Sequence, residues 1–174
     1  PSTLSLERHR LMWLFLRDET SFFTAKKKQK VLHIAPEQCF LNRFRKQENL
    51  DYITSDLESP IADVKADICD LPFEDDSFDV VFCNHVLEHV DDAHQCMSEL
   101  YRVMKPGGWG IMQVPLDYTR DTTYEDASIT SPEEREKHFW QKDHVRLFGN
   151  DYPEWLKKAG FEVETFDVNQ KYSS

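Results

Sequence analysis

The chain is 174 residues long, 40% hydrophobic, 13% aromatic and 30% charged, enough apolar material for one packed domain and too much for a disordered segment. A net charge of −11 argues against nucleic acid as a partner, because an acidic surface repels a polyanionic backbone. No apolar run approaches the roughly 20 residues that a bilayer crossing needs, so no membrane partner is expected.

The first predicted element is an amphipathic helix over residues 7–17, with Leu11, Trp13, Leu14 and Phe15 as its apolar face. The run Lys26-Lys27-Lys28-Gln29-Lys30 reads as a solvated linker, so residues 1–29 precede the main domain. Val31-Leu32-His33-Ile34-Ala35 is a short apolar strand ended by Pro36, and residues 38–47 carry Phe40, Leu41 and Phe44 at helical spacing. Tyr52-Ile53-Thr54-Ser55 is a second strand stopping at Asp56, and residues 63–68 a third. Phe78-Asp79-Val80-Val81-Phe82-Cys83 is the clearest strand, followed by a helix over 91–104 that Pro106-Gly107-Gly108 stops. Strands follow at 109–114 and 161–168, with a helix over 153–159 between them. Such alternation indicates an α/β fold, a mainly parallel sheet with helices on both faces. The 31–35 strand should lie at its centre, between the Tyr52 and Val80 strands.

Residues 116–145 interrupt this rhythm. They are polar, contain one short helix over 132–139, and are too long for a simple connection, so a lid insertion over a pocket mouth is expected. Cys39, Cys69, Cys83 and Cys96 form no Cys-x-x-Cys pair, which suggests neither a zinc ribbon nor a disulfide framework and points to a reducing, cytoplasmic setting.

Ligands of open parallel sheets bind at the carboxyl ends of strands, so the polar residues just past each strand matter most. They are His33, Pro36 and Glu37 after the first, Asp56 after the second, Asp67 after the third, and Asn84 and His85 after the fourth. An acid past the second strand can accept from both hydroxyls of a ribose, and one past the third from an exocyclic amine. Each alone could be a loop carboxylate or a helix cap.

The segment from Ala66-Asp67-Ile68-Cys69-Asp70-Leu71-Pro72-Phe73 to Ser77-Phe78-Asp79-Val80-Val81 resembles class I S-adenosylmethionine-dependent methyltransferases of the "methyltransferase 11" kind. So do Val86-Leu87-Glu88-His89-Val90, the stretch Glu99 to Gly108, and Leu156-Lys157-Lys158-Ala159-Gly160-Phe161. The resemblance covers roughly residues 30 to 168 and implies a Rossmann-like sheet, S-adenosylmethionine as cofactor and methyl transfer to a small-molecule acceptor. By position it implies that Asp56, with Leu57 beside it, takes the ribose side, that Asp67 and the Ile68 backbone hold adenine, and that Asn84 adjoins the methyl donor. It also implies a closing antiparallel strand beyond residue 174, so that the chain is expected to belong to a longer protein.

The first loop departs from the family's Asp-x-Gly-x-Gly-x-Gly. His33 replaces the acid, while Ala35, Glu37 and Cys39 replace glycines, whose freedom normally lets backbone approach the cofactor. Either Glu37, held by Pro36, supplies the missing acid to the cofactor's ammonium, or the pocket has lost its cofactor and serves as a non-catalytic binding module. Glu37 could equally cap the helix that follows. A nicotinamide-dependent oxidoreductase is disfavoured by the missing Gly-x-Gly-x-x-Gly.

His85-Val86-Leu87-Glu88-His89 fits His-x-x-Glu-His, a zinc-protease pattern when helical. It follows a buried strand directly and no third ligand is designated, so no metal is expected. In Asp143-His144-Val145-Arg146, His144 could be a base or could merely pin the lid. His85 and His144 are the catalytic candidates, needed only if the acceptor's nucleophile arrives protonated.

Overall fold

The computed structural model describes residues 6–167. In chain order the elements are α1 (Glu7–Asp18), β1 (Gln29–Ile34), α2 (Gln38–Phe44), β2 (Leu50–Asp56), β3 (Val64–Lys65), β4 (Phe78–Asn84), α3 (Ala93–Val103), β5 (Met104–Gln113), β6 (Tyr124–Glu125), α4 (Pro132–Phe139), β7 (Arg146–Leu147) and α5 (Tyr152–Lys158). Five strands form one sheet in the order β3-β2-β1-β4-β5, every pairing parallel. Val31 is in register with Tyr52 on one side and Val80 on the other, so β1 is central as expected.

Successive strand residues point to opposite faces, and each face has its own core. Leu32, Ile34, Val81 and Cys83 meet Met97, Leu100 and Val103 of α3 and Leu156 of α5. Val31, Val80 and Phe82 meet Phe40 and Phe44 of α2, Phe22, and Met12 and Leu16 of α1. The two innermost strands are buried on both sides, which is why they read as unbroken apolar runs rather than alternating ones. Asp92 starts α3 by accepting from the Gln95 amide at 2.9 Å. Gly160 ends α5 at φ +113°, where a Cβ would lie 2.7 Å from the Tyr101 ring.

Three expectations are corrected. The buried face of α1 is His9, Met12 and Leu16, with Leu11, Leu14 and Phe15 only half-buried, because the sheet lies against the 9–12–16 stripe. Residues 161–167 form no strand; Phe161 packs on Tyr101 and Phe166 on Phe15 of α1, so side-chain contacts replace a ladder, and Val168 lies outside the described residues. Cys69 and Cys96 are joined by a disulfide, although 27 positions separate them, because the loop after β3 folds onto α3. Cys39 and Cys83 are free.

Candidate active site

The strand order reverses between β1 and β4. The chain moves outward from β1 through β2 and β3, then returns to β4 on the other side, which opens a crevice at the carboxyl ends of β1 and β4. Ala35 and His85, the residues just past these two strands, both have left-handed backbone, with φ 46° and 55°. For non-glycine residues this costs on the order of 1–3 kcal/mol each and persists only when neighbours enforce it. Here the Ala35 amide donates to Ser55 O at 2.8 Å and the His85 amide to Gln113 O at 2.7 Å. Ala35 thus takes the conformation that glycine would supply in the resembling family.

Glu37 occupies the N-cap position of α2, but its carboxylate caps nothing and turns inward. Oε2 lies 2.5 Å from His33 Nε2, and Oε1 accepts from Asn84 Nδ2 at 3.3 Å. The other His33 nitrogen, Nδ1, lies 2.7 Å from the Tyr52 hydroxyl. His33 is fully buried among the rings of Phe40, Phe44, Tyr52 and Phe82, so it reaches the crevice only through Glu37. Burial alone would raise the Glu37 pKa, but the hydrogen bond and charge of His33 outweigh it and hold the carboxyl below its ordinary value. Burial, reinforced by the Glu37 charge, pushes the Tyr52 phenol up, so it stays protonated. Asn84 also places Nδ2 3.3 Å from the Met12 sulfur, while its Oδ1 is buried without a partner. Helix α1 therefore packs directly against this cluster, a contribution that nothing in the sequence signalled. Tyr52 was findable: it shares a sheet face with His33 by the period-two rule and parallel register.

Asp56, half-buried at the end of β2, spends Oδ1 on the amides of Glu58 and Ser59 at 2.8 and 2.7 Å, leaving Oδ2 without a protein partner. Leu57 beside it is exposed. Asp67 is exposed and accepts from the Cys69 amide at 2.9 Å, while the Ile68 side chain is buried. Asp63 is structural: its Oδ2 accepts from Thr54 N and Oγ1 at 3.0 and 2.7 Å. Pro36 is buried beneath the loop.

A second cluster follows β4. Residues 85–89 form a turn and not a helix, so the two imidazoles of His-x-x-Glu-His do not share a helical face. His85 Nδ1 lies 3.3 Å from Glu88 Oε1, and His89 Nδ1 3.3 Å from Asp143 Oδ2. His144 is 1% exposed, and its Nδ1 donates to Phe139 O at 2.8 Å. Burial lowers its pKa, which favours the neutral ring. Arg146 is a pin rather than a substrate group: its guanidinium donates to Leu87 O and Val90 O at 2.5 Å and Asp91 O at 2.9 Å, and pairs with Glu125. The structure thus brings both catalytic candidates, His85 and His144, to the same loop. A cleft of about 380 Å³ between Lys27, Asp79, Lys105 and Trp109 lies at the amino ends of β1 and β4, the wrong end of the sheet for a ligand of this fold.

The sequence matches the methyltransferase domain family over residues 20–112, more than half of the chain. Among curated relatives, it is 30% identical over 125 residues to a mitochondrial arginine hydroxylase of Homo sapiens, covering 71% of this chain and 35% of that protein. It is 46% identical over 109 residues to cycloartenol-C-24-methyltransferase 1 of Oryza sativa subsp. japonica, covering 58% and 28%. It is also 48% identical over 44 residues to cycloartenol-C-24-methyltransferase of Arabidopsis thaliana, covering 25% and 13%, so the chain spans about a third or less of these relatives. Two solved structures share its fold. Phosphoethanolamine N-methyltransferase 2 of Haemonchus contortus, in complex with S-adenosyl-L-methionine, aligns with TM-score 0.60 at 22% identity, covering 94% of this chain and 39% of that one. The [4+2]-cyclase SpnF aligns with TM-score 0.67 at 17% identity, covering 98% and 65%. With a matching family profile, a five-stranded parallel sheet and its crevice at the strand-order reversal, the chain belongs to the methyltransferase domain family.

Proposed function

We propose that this domain binds S-adenosylmethionine above β1 and β4 and methylates a small-molecule acceptor. The observation that carries this reading is the pairing of an ionised, largely buried carboxylate on Glu37 with the orphaned Asn84 Oδ1 in one cluster. Both are acceptors, and an ammonium group is the donor that satisfies them together. Asp56 Oδ2 accepts from the ribose hydroxyls beside Leu57, Asp67 and the Ile68 backbone hold the adenine, and Ala35 and Pro36 line the methionine arm. His33 positions Glu37 and does not itself touch the ligand. When bound, the cofactor supplies an electrophilic methyl group and leaves as a neutral thioether. The protein's work is then orientation and exclusion of water.

His85, with 28% of its side chain exposed, is the general base for an acceptor that arrives protonated. The buried His144 acts as a positioning residue through the same loop. Residues 116–145 serve as the lid, tied at one end by Thr123, whose amide and hydroxyl donate to Asp151 at 2.7 Å. The cytoplasm remains the proposed location on composition alone, since Cys69 and Cys96 are paired.

A second reading, a binding module without methyl transfer, is favoured by one observation: Met12 of α1 already contacts Asn84 within the cluster. Calorimetry with S-adenosylmethionine and S-adenosylhomocysteine, followed by labelled-methyl incubation with metabolite extract, separates the two. Binding with transfer supports the enzyme, binding without transfer supports the module, and no binding of either ligand overturns the cofactor assignment.

A further inference from the structure

The loop after β4 and the segment before β7 carry a cluster that the methyl-transfer reading leaves unused. One ligand atom each from Glu88, His89 and His144 lie within 4.8 Å of one another. Glu88 Oε2 and His144 Nε2 are both buried and have no hydrogen-bond partner. The His144 tautomer follows from its surroundings. Nδ1 donates to Phe139 O at 2.8 Å, and a carbonyl can only accept, so in the neutral ring Nε2 presents a bare lone pair. On His89, Nδ1 is turned to Asp143 Oδ2 at 3.3 Å, which leaves Nε2 as its free nitrogen. Three electron-pair donors therefore converge with no proton donor among them. Leaving a buried acceptor unpaired costs about 1–3 kcal/mol, and gathering several compounds the penalty. A cation at their centre removes it.

We propose that Glu88, His89 and His144 bind a divalent first-row transition-metal ion, with zinc as the ion the ligand set suits. Two imidazoles and a carboxylate with a fourth position open are the ligands of catalytic zinc sites and of facial iron sites. The outer contacts fit as well. Ligating histidines characteristically donate their second nitrogen to a carbonyl or a carboxylate, as His144 does to Phe139 O and as His89 is placed to do to Asp143. Both ligand-bearing segments are locked together before any ion arrives. The Val145 amide donates to Glu88 O at 2.9 Å, and buried Arg146 holds the carbonyls of Leu87, Val90 and Asp91. The separations exceed those of a closed tetrahedral site with bonds of about 2.0–2.2 Å. A small rotation of His89, whose side chain is 33% exposed, closes them and leaves an approach from solvent. The sequence hid this site because His85, the first residue of the His-x-x-Glu-His pattern, turns to Glu88 Oε1, while the third ligand comes from a position 55 residues after His89.

The site does not depend on the methyltransferase reading, and its test reads metal directly. Protein stripped with a chelator and titrated with Zn²⁺ alone should bind one equivalent calorimetrically, and Co²⁺ in its place should give the visible absorption of a low-coordinate nitrogen–oxygen site. His89→Ala and Glu88→Gln should each weaken zinc binding at least about tenfold, and Asp143→Asn about tenfold through the outer contact. His94→Ala, whose ring stacks on Trp155 away from the cluster, should bind as the parent does. Because His144→Ala could unfold a buried site, the more exposed His89 variant is decisive, with circular dichroism confirming its fold. Substoichiometric zinc, an unchanged affinity in His89→Ala, or displacement of zinc by Mg²⁺ would overturn the proposal.

Discussion

Replacing Glu37 by glutamine preserves the side chain's shape and removes its charge. In the native cluster the carboxylate accepts from His33 Nε2 at 2.5 Å and Asn84 Nδ2 at 3.3 Å. A charge-assisted bond contributes about 1.5–3 kcal/mol and a neutral one about 0.5–1.5 kcal/mol, and the amide oxygen can keep the neutral bond to His33. The net loss is therefore about 1–1.5 kcal/mol, or a Tm lower by roughly 2–6 °C in a domain of this size. The effect on ligand is larger. Losing the charged acceptor of an ammonium costs about 1.5–3 kcal/mol, which weakens S-adenosylmethionine about tenfold to a hundredfold. The pH dependence supplies a third readout. The folded-state pKa of Glu37 is lowered, so the unfolded chain holds the proton more tightly. Its stabilisation is complete above the ordinary carboxyl range and is lost as pH falls through the folded value. The parent's Tm should thus fall more steeply on acidification than that of Glu37→Gln. Thermal melts from neutral to acid pH, with calorimetry at neutral pH, measure all three. Affinities within twofold of each other and parallel Tm curves would refute the role given to Glu37.

Asp56→Asn keeps the acceptor for the Glu58 and Ser59 amides but not the charge, so it should bind S-adenosylmethionine about tenfold to a hundredfold more weakly with little change in Tm. Asp63→Ala should do the reverse, since it strips the Thr54 amide and hydroxyl of their acceptor; a Tm loss of about 2–6 °C with unchanged affinity is expected, and equal affinity losses in the two variants would contradict the ribose assignment. Arg146→Met leaves the carbonyls of Leu87, Val90 and Asp91 without their donor and should lower stability by about 3–5 kcal/mol in urea titration; a shift below about 1 kcal/mol would show that the loop holds itself. Thiol titration of denatured, unreduced protein should find the two free cysteines, Cys39 and Cys83, and four after reduction. Four before reduction would rule out the Cys69–Cys96 bond.

The fold class and the strand order around β1 were legible in the residues themselves. Val31–Ile34 and Phe78–Cys83 are unbroken apolar runs because both of their faces are buried, and the polar residues placed after them mark the ligand end of the sheet. The helix over Pro132–Phe139 was equally readable, since Ser131 and Pro132 are local signals that act before any packing. Partnerships between distant segments were not readable. Glu37 could have been a helix cap or a ligand group, and only the position of His33 and Asn84 beside it shows that its carboxylate turns inward. The packing of Met12 on Asn84, the Cys69–Cys96 bond and the convergence of His144 on Glu88 and His89 join residues 72, 27 and 55 or more positions apart. Local periodicity reports which face of an element is buried, and a contact across such separations is decided only when those faces pack.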